Sequence, residues 1–433
     1  MTLALEKTAR LRHGDPGMRR VRLGLFAAAL ATYALLYTPQ PLLPLISSGF
    51  HVSPAEASLA MSAGTFALAI AVIPMSSLSE VFGRRRIMII AAISAGVLGL
   101  AAPLSPTLDV LIMIRVAQGV ALAGLPATAM AYLAEEVAPG SLGRVMGLYV
   151  AGNAIGGLSG RLIAGFLASS GGWRVATLGV AAMSLACAIA FAFLLPRSRF
   201  FTPAPLNPAA LYSTLRRNLA DTGLLRLYLI GFALMGAFVT VYNYLTFRLS
   251  AAPFDLPVTA VGALFTVYLA GTYSSSLAGR LADRTGRRVV LALAVVVAAC
   301  GALLTLPSSL VFIVLGLIAL TMGFFAAHSV ASGWVGGRAV VAPAQASALY
   351  LCLYYIGSSV AGSFGGVFYT RGGWPEVVAF VVALLAVALA SALSLRRLRA
   401  VTAPGARPRR GGARPRRAGT AWPVFAGCAG SRP

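Results

Sequence analysis

Twelve runs of mostly apolar residues, each long enough to cross a lipid bilayer as a helix, follow one another along the chain. A segment in the bilayer must hydrogen-bond its own backbone polar groups, which favours a helix, and a helix needs roughly 20 apolar residues to cross the hydrocarbon core. The predicted helices 1 to 12 are residues 21–46, 55–79, 86–105, 108–133, 143–169, 174–195, 222–248, 257–280, 287–307, 310–335, 343–369 and 374–396. The connections are too short to hold a soluble domain, so the sequence predicts an all-α integral membrane protein.

The charged residues are few, and their placement indicates how the chain lies in the membrane. Of its 433 residues, 58% are hydrophobic and 11% are charged, whereas soluble domains carry about 25% charged residues. The net charge of +24 taken alone could suggest nucleic-acid binding, but the arginines alternate with the apolar runs and form no single basic face. Almost all of them lie in the termini and in the loops after even-numbered helices, which is the positive-inside pattern. We therefore predict no nucleic-acid partner and place both termini in the cytoplasm.

Landmark residues recur along the chain at a nearly constant spacing. The spacing is 203 positions for the first two pairs and 201 for the other two: Gly83 and Gly286, Pro54 and Pro257, Trp173 and Trp374, Gly156 and Gly357. A fixed period of this length indicates two homologous halves, each with six of the predicted helices. We predict twelve transmembrane helices in two pseudo-symmetric six-helix bundles. Many secondary transporters are built in this way, with the substrate site between the halves.

The bundles are flanked and joined by polar segments. The predicted order is a basic cytoplasmic arm (1–20), the N-terminal bundle (21–196), a cytoplasmic inter-bundle loop (197–221), the C-terminal bundle (222–397) and a disordered basic cytoplasmic tail (398–433). The arm and the tail have compositions that cannot bury a core, so we expect both to be disordered. The inter-bundle loop is expected to contain a short interfacial helix near residues 208–219.

The turn between the predicted helices 8 and 9 carries a pattern of ten residues. Residues 279–288 read Gly-Arg-Leu-Ala-Asp-Arg-Thr-Gly-Arg-Arg, and a degraded copy ends at Arg85 in the turn between helices 2 and 3. The pattern is similar to the signature of the major facilitator superfamily, Gly-x-Leu-Ala-Asp-Arg-x-Gly-Arg-Arg, and the resemblance covers about residues 20–397. Residues 37–44 also resemble a bacterial inner-membrane branch of drug-efflux-like members. The resemblance implies a transporter in the inner (plasma) membrane.

Two further patterns resemble those of the same superfamily. Arg115 in helix 4 stands where the family carries a buried arginine. Helix 5 contains a glycine series that resembles the exporter pattern of the antiporter branch: Gly147, Gly156, Gly160 and Gly165. Within this series, Arg161 stands where the family has proline. The resemblance implies efflux in exchange for protons, while import of a sugar or an organic anion by a symporter or uniporter stays open.

The charged turns are candidates for a gate that closes the cytoplasmic side. By resemblance and pseudo-symmetry, Asp283 would contact the positive end of helix 5, and Glu80 that of helix 11. Glycine at 286 allows the backbone to turn tightly. The predicted gate residues are Glu80, Gly83, Arg84, Arg85, Gly279, Asp283, Arg284, Gly286, Arg287 and Arg288. The simpler interpretation of the arginines is a solvated loop that orients the helices.

Glycines in helices 5 and 11 are candidates for close packing of helices. Small residues let helix backbones approach one another in lipid. The predicted packing residues are Gly147, Gly156 and Gly160 in helix 5, and Gly357 and Gly362 in helix 11. Bulky replacements at Gly156 or Gly357 should impair folding or conformational exchange.

Polar and ionisable residues within the apolar runs are candidates for the solute or coupling site, because burying them in a bilayer is costly. The resemblance implies a cavity lined by helices 1, 2, 4, 5, 7, 8, 10 and 11. The candidates are Tyr37, Gln40, Arg115, Asn153, Arg161, Tyr242, Asn243, His328 and Tyr355. Two arginines favour an anion, although pairing with backbone carbonyls would give them a purely structural role. Every Asp and Glu lies at a helix end or in a polar segment, so a proton would be carried by Glu135, by His328 or by the solute itself.

Motifs of enzymes and cofactor sites are absent from the sequence. It contains no phosphate-binding Gly-x-x-x-x-Gly-Lys motif, and its four cysteines lack metal-ligand spacing. We predict neither an enzyme nor a cofactor or metal protein, but a monomeric secondary transporter that moves small organic solutes by alternating access. A membrane receptor or scaffold on the same fold, without transport, is the alternative from another class.

Overall fold

Twelve helices, α1 to α12, make up the two bundles in the computed structural model, which describes residues 10–12, 14–205, 208–339 and 342–395. Their bounds are α1 Pro16–Phe50, α2 Pro54–Phe82, α3 Arg84–Leu104, α4 Leu108–Glu136, α5 and α6 together Pro139–Leu194, α7 Thr222–Leu249, α8 Val258–Ala263 with Tyr268–Thr285, α9 Arg287–Leu304, α10 Leu310–Arg338, and α11 and α12 together Pro343–Ser394. In this part of the chain nine helices are long and apolar enough to cross a membrane. Two of the nine bend and hold two spans each, and α8 is the twelfth helix, so the predicted fold is confirmed.

The two longest helices each bend at a glycine pair. At Gly172 and Gly373 the backbone angle φ is 69° and 67°, a left-handed conformation that favours glycine. The two positions are 201 apart, and a tryptophan follows each of them. At each glycine pair the chain therefore reverses direction without a longer loop, and the two helices form an antiparallel hairpin.

Both charged turns have the same backbone conformation. Gly83 has φ 98° and ψ 133°, and its equivalent Gly286 has φ 95° and ψ 136°. Each glycine ends one helix and begins the next, so α2 is joined to α3 and α8 to α9 without a longer loop. The pseudo-symmetry predicted from the sequence thus extends to the backbone of the turns.

Part of the N-terminal arm packs against the N-terminal bundle, where we expected disorder. Leu11 donates a backbone hydrogen bond to Glu136 (2.9 Å) and accepts one from Ala138 (3.0 Å). Helix α1 begins at Pro16 rather than near residue 21. Residues 1–9 and 13 and the predicted tail lie outside the described residues. The inter-bundle loop contains the expected short helix, Pro208–Ala220.

Asp221 begins α7 and holds the end of α10. Its Oδ1 accepts hydrogen bonds from the backbone N–H groups of Gly223 and Leu224 and from Arg338 Nε, the last at 2.9 Å. Burial alone would raise the pKa of this carboxyl, but the hydrogen bonds and the positive charge of Arg338 lower the pKa below its ordinary value of 3.8. The carboxylate is therefore favoured by folding.

Asp221→Asn is expected to lower stability at neutral pH by about 1 kcal/mol, because asparagine can still cap the helix but loses the ion pair. A carboxyl whose pKa is lowered by folding contributes stability that is complete above its unfolded-state pKa and is lost as the pH falls through the folded-state value. The difference in melting temperature between wild type and variant should be constant near neutrality and shrink below about pH 4. A difference that persists unchanged at lower pH would contradict this assignment, and Asp255→Asn, at an exposed loop position, is the control.

Glycines bring helix pairs into backbone contact at the centre of each bundle. A Cβ added at Gly156 would lie 2.5 Å from the carbonyl oxygen of Leu30, and one at Gly357 would lie 2.1 Å from that of Phe232. Helix α5 therefore packs on α1, and α11 on α7, at equivalent points. Gly147 differs from the prediction, because a Cβ there would have nothing within 4 Å.

The other predicted packing glycines also have close neighbours. A Cβ at Gly160 would lie 2.6 Å from the Cα of Ala34, and one at Gly362 would lie 3.3 Å from a methyl group of Val239. The first approach is between backbones and the second is to a side chain. The close contact of α1 with α5 therefore extends over at least one helical turn.

Candidate functional site

Within the described residues, three hydrogen bonds cross the interface between the N-terminal bundle (α1–α6) and the C-terminal bundle (α7–α12), which we call the seam. Gln40 Nε2 donates to Asn243 Oδ1 at 2.9 Å. The other two bonds join Thr65 to Ser359 (2.7 Å) and Tyr33 to Tyr355 (3.3 Å). Gln40 and Asn243 are 203 positions apart, the spacing of the internal repeat. Equivalent residues of the two halves therefore meet at the pseudo-twofold axis.

Arg161 links the two bundles beside this pair. Its Nε donates to Gln40 Oε1 (2.8 Å) and its Nη1 to the carbonyl of Gly157 (2.7 Å). Its guanidinium carbon lies 4.1, 4.7 and 5.0 Å from the ring centres of Tyr37, Tyr268 and Phe265. Two of these rings belong to α8, so Arg161 bridges the seam by cation–π contacts.

No carboxylate neutralises Arg161 within the described residues. The ion pairs there join Arg84 to Glu80 and Glu135, and Arg338 to Asp221. Only 2% of the Arg161 surface is exposed. The charge is therefore held in the protein interior by rings, an amide and a carbonyl alone.

Arg115, the second predicted membrane arginine, has a different environment. Its donors reach the backbone carbonyls of Leu35, Leu36 and Ala60 at 2.8–3.1 Å, and it also donates to the side chain of Gln118. All of these partners belong to the N-terminal bundle. The side chain holds α4 against α1 and α2, which favours the structural interpretation.

Two stripes of side chains run along the seam on equivalent helices. Residues four apart lie on one face of a helix. The stripe on α5 is Tyr149, Asn153, Gly157 and Arg161, and the stripe on α11 is Tyr350, Tyr354, Ser358 and Gly362, each 201 positions later. The α5 stripe is polar and carries the positive charge, whereas the α11 stripe is aromatic and small. The two stripes therefore occupy equivalent positions in the fold but differ in chemical character.

Aromatic rings continue from the α11 stripe through the C-terminal bundle. His328 lies 4.7 Å from the ring of Tyr354, and its Nδ1 hydrogen-bonds to the hydroxyl of Tyr350 at 3.0 Å. We call the connected rings the aromatic wall: Phe238, Tyr242, Phe265, Tyr268, Phe324, Phe325, His328, Tyr350, Tyr354 and Tyr355. Tyr242 also hydrogen-bonds to Thr321 at 2.7 Å.

Several polar atoms on the helices of the seam are buried without a hydrogen bond. They are Ser62 Oγ, Tyr149 Oη, Asn153 Oδ1, Asn243 Nδ2 and Ser358 Oγ. Buried polar groups in proteins are nearly always hydrogen-bonded, so these atoms point to a water molecule or solute as the missing partner. The sequence prediction omitted Tyr149, although the residue lies four positions before Asn153 and 201 before Tyr350.

The seam is closed at the end where α2 begins. A Cβ added at Gly366 would lie 2.4 Å from the Cα of Ala55, and one at Gly165 would lie 3.1 Å from that of Gly262. Both approaches join backbones of opposite bundles. They leave no space between α2 and α11, or between α5 and α8, at this end.

The seam is open at the arginine-rich end. Of the three hydrogen bonds that cross the seam, the one between Tyr33 and Tyr355 lies nearest that end, and Tyr355 is still about 18 Å from the first residue of α11 at 1.5 Å per residue. Asp283 is exposed there, and a Cβ added at Gly279 or Gly286 would meet nothing within 4 Å. Among the described residues, α5 packs on the first part of α8, Val258–Ala263, rather than on Tyr268–Thr285, so the two helices diverge toward the charged turns.

The two charged turns differ in their ion pairs. Arg84 pairs with Glu135 at 3.1 Å and with Glu80 at 3.6 Å. Its equivalent Arg287 lies beside Gly337 at the end of α10, and Asp283, the equivalent of Glu80, takes part in no ion pair of the described residues. The turn between α2 and α3 is thus held by ion pairs within its own bundle, whereas the Asp283 carboxylate of the other turn forms none among the described residues.

The remaining predicted gate residues lie in or beside the same turns. Arg85 donates to the carbonyls of Leu195 and Ala192 and so holds the end of α6. Arg284 is exposed and Arg288 is half-buried. Among these three arginines, Arg85 therefore has the clearest structural contact, with the end of α6.

An apolar groove opens sideways at the seam, between α2, α4 and α11. Its volume is about 560 Å³. Phe66, Ile70 and Phe364 line it and are all well exposed. A groove of this composition on membrane-spanning helices faces the hydrocarbon of the bilayer.

Comparisons with known proteins agree with this architecture. The sequence matches the family described as "Major Facilitator Superfamily" over residues 25–339 and 249–429. It is 43% identical over 401 residues to the uncharacterized MFS-type transporter YybF of Bacillus subtilis, covering 93% of this chain and 99% of YybF. It is also 43% identical over 387 residues to the inner membrane transport protein YnfM of Escherichia coli, covering 89% of this chain and 93% of YnfM.

Solved structures share the fold at low sequence identity. A bacterial homologue of the human lysosomal transporter Spinster, in an inward-facing and occupied conformation, superposes with a TM-score of 0.69 at 16% identity, over 88% of this chain and 96% of that one. The nucleoside transporter NupG gives a TM-score of 0.68 at 14% identity, over 86% of this chain and 98% of NupG.

Proposed function

Because this chain belongs to the major facilitator superfamily and is a multi-pass membrane transporter, we propose that it exports small organic solutes from the cytoplasm by alternating access, in exchange for protons. We assign the arginine-rich end of the seam to the cytoplasm and the closed end to the outside of the inner membrane. The working unit is one chain, because both halves of the pathway lie within it.

One observation carries this proposal. The seam is open at one end and closed at the other, and unpartnered polar atoms, among them Tyr149 Oη and Asn153 Oδ1, lie buried along it. A site that is reached from a single side is what alternating access requires. A solute that entered from the cytoplasm would meet these atoms between the two bundles.

The charged turn of α8 and α9 is the proposed cytoplasmic gate. Asp283 is exposed and forms no ion pair with the described residues. The first turns of α5 have open space at Gly140 and Gly143, and the N-terminal end of a helix attracts a carboxylate. When the bundles rock together at this end, Asp283 would dock there and stabilise the outward-open state.

Glu135 is the proposed proton carrier. Its Oε1 accepts a hydrogen bond from Arg84, while its Oε2 is buried without a partner. A carboxylate held by one arginine at the end of α4 can take up a proton and release that arginine. His328 is the less favourable carrier, because its neighbours are rings and a phenol rather than a carboxylate.

Asp283→Asn is expected to reduce solute flux about tenfold. The reason is that a carboxylate at a helix N-terminus contributes up to ~2 kcal/mol, which would be lost from one of the two states only. The measurement is pH-gradient-driven flux of a panel of dyes and antibiotics in proteoliposomes. Asp255→Asn, at an exposed position before the opposite end of α8, should transport like the wild type.

Flux in the proteoliposomes, together with compound tolerance measured in cells, separates the proposed function from its alternatives. Flux equal to that of empty vesicles would favour a receptor or scaffold. Net inward movement in cells, with no change in tolerance to any compound of the panel, would favour an importer. Export that does not depend on the pH gradient would contradict the proposed exchange for protons but not the proposed direction of transport.

A further inference from the structure

We propose that the solute of the seam is a planar aromatic acid, whose ring lies on the aromatic wall and whose acidic group pairs with Arg161. The inference rests on the proposed function and names its substrate class. It combines two features that the sequence symmetry does not require: a charge on the α5 stripe and rings on the α11 stripe.

The charge of Arg161 selects the acidic group. A buried charge without a counter-ion is costly, and a cation–π contact returns only about 0.5–2 kcal/mol. Its hydrogen bonds use Nε and Nη1, while Nη2 donates to no acceptor in the described part of the chain. Three of its five N–H groups, two of them on Nη2, are thus left for an anion, and a cationic solute would be repelled.

The α11 stripe selects the ring. Tyr354 presents its ring beside His328 and lies 5.2 Å from the ring of Tyr355. Tyr268 and Phe325, whose rings are 5.8 Å apart, are both half-buried and continue the surface on α8 and α10. Aromatic rings prefer offset or edge-on packing on one another, so a planar solute gains more here than an aliphatic one of equal size.

The α5 stripe leads from the opening to the charge. Tyr149 and Asn153 precede Arg161 by twelve and eight residues, or about 18 and 12 Å along the helix, on the side of the open end. Their unpartnered atoms, Oη and Oδ1, offer hydrogen bonds to polar substituents at the edge of the ring. Gly157, between them and Arg161, lies against Tyr37 without a side chain of its own.

Four related compounds test the assignment on the full-length protein in lipid nanodiscs, by equilibrium binding without a gradient. They are 2-naphthoate, 2-naphthol, 2-naphthylmethylammonium and cyclohexanecarboxylate. We expect 2-naphthoate to bind about 10- to 100-fold more tightly than the other three, because it alone has both the ring and the acid, and a hydrogen bond to a charged group has this magnitude. Equal binding of all four, or tightest binding of the ammonium compound, would overturn the proposal.

Three variants assign the selectivity to residues. Arg161→Gln should abolish the preference for naphthoate over naphthol, and Arg161→Lys should keep part of it. Tyr354→Leu should weaken the ring compounds and leave cyclohexanecarboxylate unchanged. The controls are Arg248→Gln, whose arginine donates to loop carbonyls outside the seam, and Phe380→Leu, whose ring stacks on Phe368 between α11 and α12.

Binding and flux separate this inference from the proposed function. If naphthoate binds through Arg161 but is not transported, the binding-site assignment would stand and the proposed transport function would be contradicted. If other solutes are transported equally well by the wild type, Arg161→Ala and Tyr354→Leu, the proposed transport function would stand. The assignment of an aromatic acid as the solute would then be contradicted. If Arg161→Gln does not fold, the order of the binding affinities of the four compounds for the wild type and for Tyr354→Leu still tests the proposal.

Discussion

Valine in place of Gly357 is expected to leave almost no folded transporter in the membrane. The first carbon of the new side chain would lie 2.1 Å from the carbonyl oxygen of Phe232 and 2.7 Å from the carbonyl carbon. Both atoms belong to the backbone of α7, so no side chain can rotate out of the way. Overpacking of a core costs about 1–3 kcal/mol even where side chains can move, and separating two packed helices should cost more.

Two companion variants make this prediction specific. Gly156→Val, at the equivalent contact of α5 with Leu30, should have the same effect, because the clash is again with backbone atoms. Gly147→Val, on the same helix but with nothing within 4 Å, should be tolerated. The yield of monodisperse protein and its melting temperature are the measurements. Wild-type values for Gly357→Val would show that α7 and α11 are further apart than described here.

Replacement of Arg115 by alanine is expected to cost folding stability rather than solute selectivity. Its guanidinium donates to carbonyls of Leu35, Leu36 and Ala60 on two other helices. Removing the guanidinium leaves these buried carbonyls without that donor, which costs about 1–3 kcal/mol for each group left unsatisfied. Lysine should not restore stability, because a single ammonium group cannot span acceptors that the planar guanidinium reaches together.

The prediction for Arg115 is tested by comparing its alanine variant with the alanine variant of Arg161. Thermal unfolding and the order of binding of the four test compounds should be recorded for Arg115→Ala and for Arg161→Ala. We expect a large loss of melting temperature in the first variant and a changed order of binding in the second. A folded Arg115→Ala protein with altered selectivity would place Arg115 in the solute site.

Much of the architecture could be predicted from local patterns in the sequence. Apolar runs of membrane length give the helices, and the offset between Gly83 and Gly286 gives the two halves. The same offset relates the hairpin bends at Gly172 and Gly373, whose φ angles differ by only 2° (69° and 67°). These features are properties of single segments, since length, hydropathy and backbone preference do not depend on distant neighbours.

The roles of individual residues could not be predicted in the same way. Gly147 and Gly156 belong to one glycine series on one helix, yet only Gly156 lies against another backbone. Arg115 and Arg161 both interrupt apolar helices, yet one donates mainly to carbonyls of its own bundle and the other contacts rings across the seam. Each difference depends on where a second helix crosses the first.

The sequence by itself determined that the chain has twelve membrane helices in two related halves, because the bilayer imposes spans of this length on such apolar segments. The positive-inside orientation that it also indicates stays a prediction. Only the tertiary structure decided that Gln40 meets Asn243, that the seam is open at the arginine-rich end, and that a charge and a set of rings face each other across it. Such contacts join residues more than 100 positions apart, and they depend on where helices cross, for which a single sequence carries no local signal.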